Sequence, residues 1–146
     1  MKKWYGAVAV LAILATNAAV ADDNPIVQRK AILKGIGDAT KPIAAMLKGE
    51  APYDNATVQK SLATIADGAK KLPDLFPDNS KTGDDTAALP KIWEEKAKFN
   101  AIYTKLASSA IAAEGTIHDQ ASLKTNIGSV LGNCKSCHDD YRAKKN

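Results

Sequence analysis

The sequence predicts an all-α protein, an antiparallel four-helix bundle. Apolar residues recur at intervals of three and four in four segments, which is the spacing of helices with one buried face. No stretch shows the strict alternation of apolar and polar residues that is typical of a strand. Two of the three connections are short, which favours antiparallel neighbours, and a chain of 146 residues suits a single domain.

The first 21 residues are predicted to be a signal peptide that is not part of the fold. Lys2 and Lys3 precede an apolar run over residues 7–15, and Ala19-Val20-Ala21 places small residues before a cleavage site. The alternative is a membrane anchor, but the apolar run is too short to cross a bilayer and Asn17 interrupts it. We therefore expect cleavage after Ala21, a periplasmic location and no membrane association.

The mature domain, residues 22–146, carries little net charge. The formal charge of the full chain is +4, and removal of Lys2 and Lys3 lowers it to +2. Basic residues are mixed with acidic ones along the chain, which is typical of a solvated surface, whereas nucleic-acid binding needs a clustered basic face. We therefore expect no nucleic-acid partner.

Helix one is predicted over Pro25–Lys48 with Asn24 as its N-cap, because asparagine before a proline marks a helix start. Helix two is predicted from about Ala56 to Lys71, capped by Asp54 or Asn55. The apolar stripe of helix one is Ile26, Leu33, Ile36, Ile43 and Leu47, and that of helix two is Val58, Leu62, Ile65, Ala69 and Leu72.

Helix three is predicted from Pro90 to about Glu114, and helix four from after Asp119 to about Ala143. The segment Pro73–Leu89 between helices two and three is rich in Pro, Asp, Gly and Thr, so we expect a long and flexible crossover loop. The apolar faces are Trp93, Phe99, Ile102 and Leu106 in helix three, and Leu123, Ile127, Val130, Cys134, Cys137, His138 and Tyr141 in helix four.

A Cys-x-x-Cys-His motif lies in helix four at Cys134, Cys137 and His138. Two thiols at this spacing can add to the two vinyl groups of haem, and the histidine that follows can bind the iron. On a helix the three residues share one face, so a helix lying against the haem presents all of them. The motif therefore predicts one covalently bound haem c per chain, near the C-terminal helix of the bundle.

Three other interpretations of the two cysteines find less support. A thioredoxin-like redox pair needs a βαβ setting, and a disulfide at this spacing would close a very small loop and add little stability. A zinc site would need a fourth ligand, and His118, the only other histidine, would lie about 30 Å from His138 along a helix. His118 is therefore interpreted as a surface residue.

The position of this motif near the C-terminus of a four-helix chain resembles the class II c-type cytochromes, and cytochrome c′ especially. The resemblance covers nearly all of the mature chain. The matching segments, in the family's order, are residues 48–54 (KGEAPYD), Leu72-Pro73 with Phe76, residues 90–93 (PKIW) and residues 134–142. The resemblance implies a four-helix bundle with covalent haem c. It also implies a homodimer formed through helix one, for which Ile32 and Met46 are candidate apolar residues.

Members of this family differ in the residue on the distal side of the iron. Low-spin members place a methionine from helix one there as sixth ligand, and cytochrome c′ has an apolar residue that leaves the iron five-coordinate. Leu33 matches that position, four residues after Arg29. Leucine cannot bind iron, and Met46, 13 residues further along, would lie about 20 Å away on a helix. The resemblance therefore implies five-coordinate, high-spin iron at His138.

Four further positions match the family and are expected near the haem. Arg29 resembles an arginine beside a haem propionate. Phe76 and Trp93 match positions that pack near the haem, although both could equally be ordinary core aromatics. Arg142 resembles a basic residue beside the proximal face, four residues after His138, and the alternative is a helix-terminal cation facing solvent.

An open iron beneath an apolar residue predicts binding of NO and CO. These neutral ligands need no hydrogen bond, whereas bound O₂ gains from a polar donor that Leu33 cannot supply. The alternative is a low-potential periplasmic electron-transfer cytochrome with an unknown redox partner, a role that gain or loss of a sixth ligand would slow. The sequence shows no general base, nucleophile or substrate-pocket motif, so we expect no enzyme activity.

Overall fold

Six helices form the four predicted helical segments in the computed structural model, which describes residues 23–144. Their bounds are Pro25–Lys48 (α1), Asn55–Lys71 (α2), Lys91–Glu94 (α3), Lys96–Thr116 (α4), Gln120–Asn126 (α5) and Gly128–Tyr141 (α6). Segments three and four each consist of two consecutive helices. The predicted four-helix bundle is confirmed, while the predicted signal peptide and its cleavage site lie outside the described residues.

The first two helices begin and end close to where the sequence predicts. The Asn24 side chain accepts a hydrogen bond from the backbone N–H of Ile26, and α1 ends at Gly49, whose φ of 75° is left-handed. The Asp54 side chain accepts from the backbone N–H of Thr57, which makes Asp54 the N-cap of α2. Local capping chemistry therefore determines these boundaries.

The third predicted helix is interrupted, which the sequence analysis did not anticipate. Glu95 has φ −118° and ψ 38°, so α3 is a single turn followed by the long helix α4. Glutamate is a good helix former, so no local propensity marks this break. The Glu95 carboxylate instead accepts a hydrogen bond of 2.9 Å from the Tyr141 hydroxyl of α6, a contact between distant parts of the chain.

The fourth predicted helix is also divided, but with little change of backbone. Ile127, between α5 and α6, keeps helical angles of φ −67° and ψ −22°. At the start of this segment the Asp119 side chain caps α5 through the backbone N–H of Ser122. The segment therefore still runs along one side of the bundle.

The core contains apolar residues from all four predicted segments. α2 packs against both α1 and α4, and α4 packs against α6. All five residues of the predicted stripe of helix two are buried, and Ile26, Ile36 and Ile43 of α1 are buried as expected. Of the other two residues in the predicted stripe of helix one, Leu47 is half-buried and Leu33 is exposed.

Met46 belongs to this core and does not form part of an outer dimer face. Its side chain is 3% exposed and packs within the same chain, near the Gln120 amide that donates to the Met46 carbonyl oxygen. Of the two candidate dimer residues, Ile32 is half-buried against the core. Met46 therefore gives no support to a helix-one dimer.

The crossover loop has defined local structure, including two 3-10 turns, and Arg29 binds it to α1. Arg29 is 2% exposed. Its Nη1 donates to the Leu75 carbonyl oxygen (3.1 Å) and Ser80 Oγ (2.8 Å). Its Nη2 donates to the Ser80 carbonyl oxygen (2.9 Å) and Thr86 Oγ1 (2.8 Å). These contacts order a segment whose composition alone indicates flexibility.

The end of the same loop pairs with the end of α6. The Leu89 N–H donates to the Tyr141 carbonyl oxygen (3.0 Å), and the Ala143 N–H donates to the Ala87 carbonyl oxygen (2.8 Å). Ala88 and Arg142 consequently form an isolated antiparallel bridge.

Within residues 23–144, no helix has the length and apolar character needed to cross a membrane.

Ser80→Ala should destabilise the protein by about 1–3 kcal/mol, because a buried guanidinium N–H would lose its acceptor. Urea unfolding of the haem-bound protein, followed by circular dichroism, measures this loss. Ser108→Ala is the matched control, since Ser108 is exposed and its hydroxyl donates to the Lys105 carbonyl oxygen of its own helix. The control should stay within about 0.5 kcal/mol of wild type. Equal stability of the two variants would contradict a structural role for the Arg29–Ser80 bond.

Candidate haem site

A large cavity lies among α1, α4, α6 and the end of the crossover loop. Its volume is about 740 Å³, within the range of protein cofactor sites. α1 packs mainly on α2, and α6 packs on α4, so the cavity separates α1 from α6. This arrangement allows a flat cofactor to lie between these two helices.

The wall formed by α6 carries the predicted attachment motif. Cys134, Cys137 and His138 all line the cavity, and both thiols are free and half-buried. Burial raises the pKa of Cys134, and burial together with the nearby Cys134 sulfur raises the pKa of Cys137 to about 11. Redox-active cysteines need a lowered pKa, so these neutral thiols do not resemble a thioredoxin-like pair.

His138 is in an environment that favours its neutral form. Burial lowers the pKa of its imidazole, and the positive charge of Arg142 lowers it further. Neutral imidazole is the form that binds metals. His118, by contrast, is exposed and its Nε2 lies 2.9 Å from the Gly115 carbonyl oxygen, away from the cavity lining.

The wall formed by α1 carries Leu33 and Arg29. Leu33 is 36% exposed and lines the cavity on the α1 side, whereas His138 lines it on the α6 side. Its side chain therefore faces the cavity and is not packed within the core stripe of helix one.

Arg29 provides a test of whether these residues fit haem. It also lines the cavity, and among the described residues its hydrogen-bond partners are neutral oxygen atoms, with no carboxylate. Burial lowers the pKa of the guanidinium, which nevertheless stays charged. Because a buried charge is costly unless paired, a carboxylate in the cavity would stabilise it. The propionates of haem supply such a carboxylate, so the donor set fits this cofactor.

The two predicted aromatic residues have different positions. Phe76 is buried, lines the cavity and lies beneath the Arg29 guanidinium at 4.5 Å. Trp93 is not part of the cavity lining, which favours the alternative interpretation of an ordinary core aromatic. Its ring lies 6.1 Å from that of Phe76, and its Nε1 donates to the carbonyl oxygens of Phe76 and Pro77 (both 3.1 Å). Trp93 therefore contacts the outer side of Phe76, a residue of the cavity wall, and holds the backbone of residues 76 and 77 in place.

Arg142 has features of a solvent-facing cation at a helix end and of a basic residue beside the histidine. It is exposed at the end of α6, yet it lines the cavity and its charge lowers the pKa of His138. The backbone bridge to Ala88 determines its position.

The sequence analysis missed Tyr103, which lines the cavity beside the cysteines. Its side chain is 4% exposed, and burial together with the neighbouring Cys137 raises its pKa far above the ordinary value. The phenol is therefore neutral. Tyr103 lies four residues after Phe99 and three before Leu106, so helical spacing could have placed it on the same buried face.

The protein is a helical bundle with an apolar cavity, and one wall of that cavity carries a covalent haem-attachment motif. These features define a c-type haem protein. The family model for cytochrome c′ matches residues 24–142. The chain belongs to the cytochrome c′ family, and its cofactor is haem c, for which Cys134 and Cys137 form the binding motif.

Three relatives show how far the similarity extends. Cytochrome c′ of Rhodopseudomonas palustris (strain ATCC BAA-98 / CGA009) is 68% identical to this chain over 99% of both sequences. A solved structure of cytochrome c′ from Rhodopseudomonas palustris superposes on this chain with a TM-score of 0.84. The two are 72% identical, and the match covers 86% of this chain and all of that one. Cytochrome c-556 of Agrobacterium tumefaciens (strain apple 185) is 42% identical over 80% of this chain and 93% of its own. A nitric oxide complex of a mutant cytochrome c prime from Alcaligenes xylosoxidans has the same fold, with a TM-score of 0.71 at 23% identity over 82% of this chain and 94% of that one.

Replacement of both Cys134 and Cys137 by alanine should abolish covalent haem, because no thiol remains to form a thioether bond. Acid–acetone extraction of the purified protein measures this, since haem that is not covalently bound enters the solvent. Ser136→Ala is the control, because Ser136 lies within the motif but is exposed and does not line the cavity. Haem that stayed with the double-alanine polypeptide would refute the assignment.

Proposed function

We propose that this protein binds the small neutral gases NO and CO at a five-coordinate, high-spin haem iron held by His138. The observation that carries the proposal is the presence of Leu33 on the cavity wall formed by α1, opposite the α6 wall that holds the histidine. Ferrous haem with an open axial position supplies a site for such ligands. Leu33 has no atom that can occupy that position, so it leaves the site to an external ligand.

Other cavity residues on α1 are directed elsewhere by their own partners. Lys30 Nζ donates to the Asp84 carbonyl oxygen (2.7 Å), and Lys34 Nζ forms an ion pair with Asp38 (2.6 Å). A charged amine is also a poor ligand in an apolar pocket. These contacts support an iron without a sixth protein ligand.

The apolar character of Leu33 favours selectivity among gases. NO and CO bind ferrous haem without a hydrogen bond, whereas O₂ accumulates charge and gains from a donor. Leu33 contributes only methyl and methylene groups, and entry of a ligand beside it costs packing contacts. Discrimination against O₂ therefore follows from one side chain that offers no donor and occupies space.

We infer that binding takes place without catalytic turnover. Among the described residues that line the cavity, His138 is assigned to the iron and Tyr103 is a neutral phenol of strongly raised pKa. The one carboxylate among these lining residues, Asp85, is an exposed residue of the crossover loop. A general base needs a suitable pKa and a position close to the reacting group, and these three residues do not combine the two.

The alternative function is low-potential electron transfer with an unknown redox partner. The relatives include both cytochrome c′ and cytochrome c-556, so family membership alone does not select between the two. Leu33 favours gas binding, because a change of axial ligation on reduction would slow electron transfer.

A homodimer formed through α1 stays a proposal that rests on the family resemblance. Val27 is 38% exposed on this helix, whereas Met46 is buried within the chain. A dimer contact would therefore involve the N-terminal half of α1 and not Met46.

Leu33→Ala should accelerate CO binding to the ferrous protein and raise its affinity by about tenfold, if the leucine side chain costs a bound ligand about 1.4 kcal/mol of packing. Leu33→Met should instead give a low-spin, six-coordinate spectrum, because a thioether at this position could reach the iron. Absorption spectra and CO titration measure both effects. Val27→Ala is the control, since Val27 lies on the same helix, is exposed and does not line the cavity. A wild-type ferrous spectrum that is already low-spin, with CO binding unchanged in Leu33→Ala, would favour the electron-transfer alternative.

We further propose that residues 1–21 direct export to the periplasm and are removed. The signal-peptide pattern supports this, and the similarity to the Rhodopseudomonas palustris relative extends over 99% of the chain and so into these residues. The mature protein should begin at Asp22. Mass spectrometry of protein purified from the periplasm should give the mass of residues 22–146 with one haem, and a chain retaining Met1 to Ala21 would contradict the proposal.

A further inference from the structure

Gly37 lies one helical turn after Leu33 and shares its side of α1. Both residues line the cavity and both are exposed, so the wall meets solvent at this pair. A Cβ atom added to Gly37 would meet no heavy atom within 4 Å among the described residues. The wall of α1 therefore has a gap beside Leu33, which we call the Gly37 gap.

Three polar side chains of α1 that line the cavity with Gly37 each have a hydrogen-bond partner of their own. Lys34 Nζ contacts Asp38, and Lys30 Nζ contacts the Asp84 carbonyl oxygen at the tip of the crossover loop. Thr40 Oγ1 donates to the carbonyl oxygen of Gly37 itself (2.7 Å), so this hydroxyl stays against its own helix. With these contacts in place, the space at the Cβ position of Gly37 is open among the described residues.

Gly35, a second glycine of α1, has open space beside it but no access to the cavity. A Cβ at Gly35 would also meet nothing within 4 Å of the described chain, but Gly35 does not line the cavity. Both glycines should weaken the helix to a similar extent. Only Gly37 combines open space with access to the cavity.

We propose that the Gly37 gap is the entry route by which gaseous ligands reach the distal side of the haem, and that the size of residue 37 sets their rate of entry. This inference rests on the proposed gas-binding function. It assigns different roles to two neighbouring residues of α1. Leu33 occupies the space that the bound ligand needs and so affects affinity, whereas Gly37 lies on the path and so affects the two rate constants equally without changing affinity.

The two roles predict different kinetics. A side chain that crowds the bound ligand changes the equilibrium constant. A side chain that obstructs only the path raises the barrier in both directions, so it slows association and dissociation equally and leaves the dissociation constant unchanged. Measurement of both rate constants therefore separates an entry residue from a crowding residue.

The test uses the haem-bound protein with Gly37→Ala, Gly37→Leu and the matched variants Gly35→Ala and Gly35→Leu. CO association to the ferrous protein is followed by stopped flow, and CO dissociation by displacement with NO. In Gly37→Leu both rate constants should fall roughly three- to tenfold, the effect of a displaced or off-rotamer leucine, with the dissociation constant within about twofold of wild type. Gly37→Ala should show a smaller fall, and the Gly35 variants none.

Two readouts without CO accompany the kinetics. Gly37→Ala and Gly35→Ala should raise the unfolding midpoint by similar amounts, because alanine favours the helix over glycine in both cases. The ligand-free ferrous spectrum should be the same in all four variants, which shows that the coordination of the iron is unchanged. The alanine pair keeps the comparison valid if leucine at either position impairs folding.

Each remaining outcome overturns the inference. Unchanged rate constants in both Gly37 variants would show that ligands enter elsewhere while leaving the gas-binding function intact. A fall in association alone, with weaker binding, would make residue 37 a crowding residue and not an entry residue. An equal effect in the Gly35 variants would indicate a general change in the helix. A wild-type ferrous protein that binds no CO would overturn the proposed function as well.

Discussion

The structure depends on the buried guanidinium of Arg29. A charge in the interior is stable only when its hydrogen bonds are satisfied, and Arg29 meets this requirement with oxygen atoms of the crossover loop at Leu75, Ser80 and Thr86. The same group lies over the ring of Phe76 and faces the cavity. It therefore connects α1, the loop and the haem site, and a propionate in the cavity would supply the counter-charge that the described residues do not.

Once Arg29 has ordered the loop, the loop in turn determines the end of α6. Residues 87–89 pair with residues 141–143 through two backbone hydrogen bonds. The Tyr141 hydroxyl binds Glu95, and Lys91 lies 3.7 Å from Asp140, so the break between α3 and α4 also contacts this end of the helix. His138 lies within one turn of these contacts. The position of His138 consequently depends on tertiary contacts at the C-terminal end of α6 as well as on the helix that carries the motif.

Features governed by local chemistry could be predicted from the sequence, and those governed by distant contacts could not. The N-caps at Asn24 and Asp54, the stripe of α2 and the Cys-x-x-Cys-His motif each depend on residues within a few positions of one another. The order of the crossover loop instead depends on Arg29 and Ser80, which are 51 positions apart. The position of Trp93 behind Phe76, and the helix break at Glu95, are likewise set by neighbours that no periodicity reveals.

If Leu33 and Gly37 have the proposed roles, a single turn of helix separates ligand affinity from ligand access. At a five-coordinate iron, the affinity for a small ligand would depend on the residue next to the iron, which here offers no hydrogen-bond donor, and the rate of binding would depend on the path that leads there. In the proposed mechanism these two properties belong to different residues of α1, four positions apart: Leu33, whose side chain lines the cavity, and Gly37, whose lack of a side chain leaves the rim open. Because helix geometry fixes their spacing and not their size, each can change without displacing the other. The rate of ligand entry could then be altered at residue 37 while residue 33 continued to exclude a sixth protein ligand.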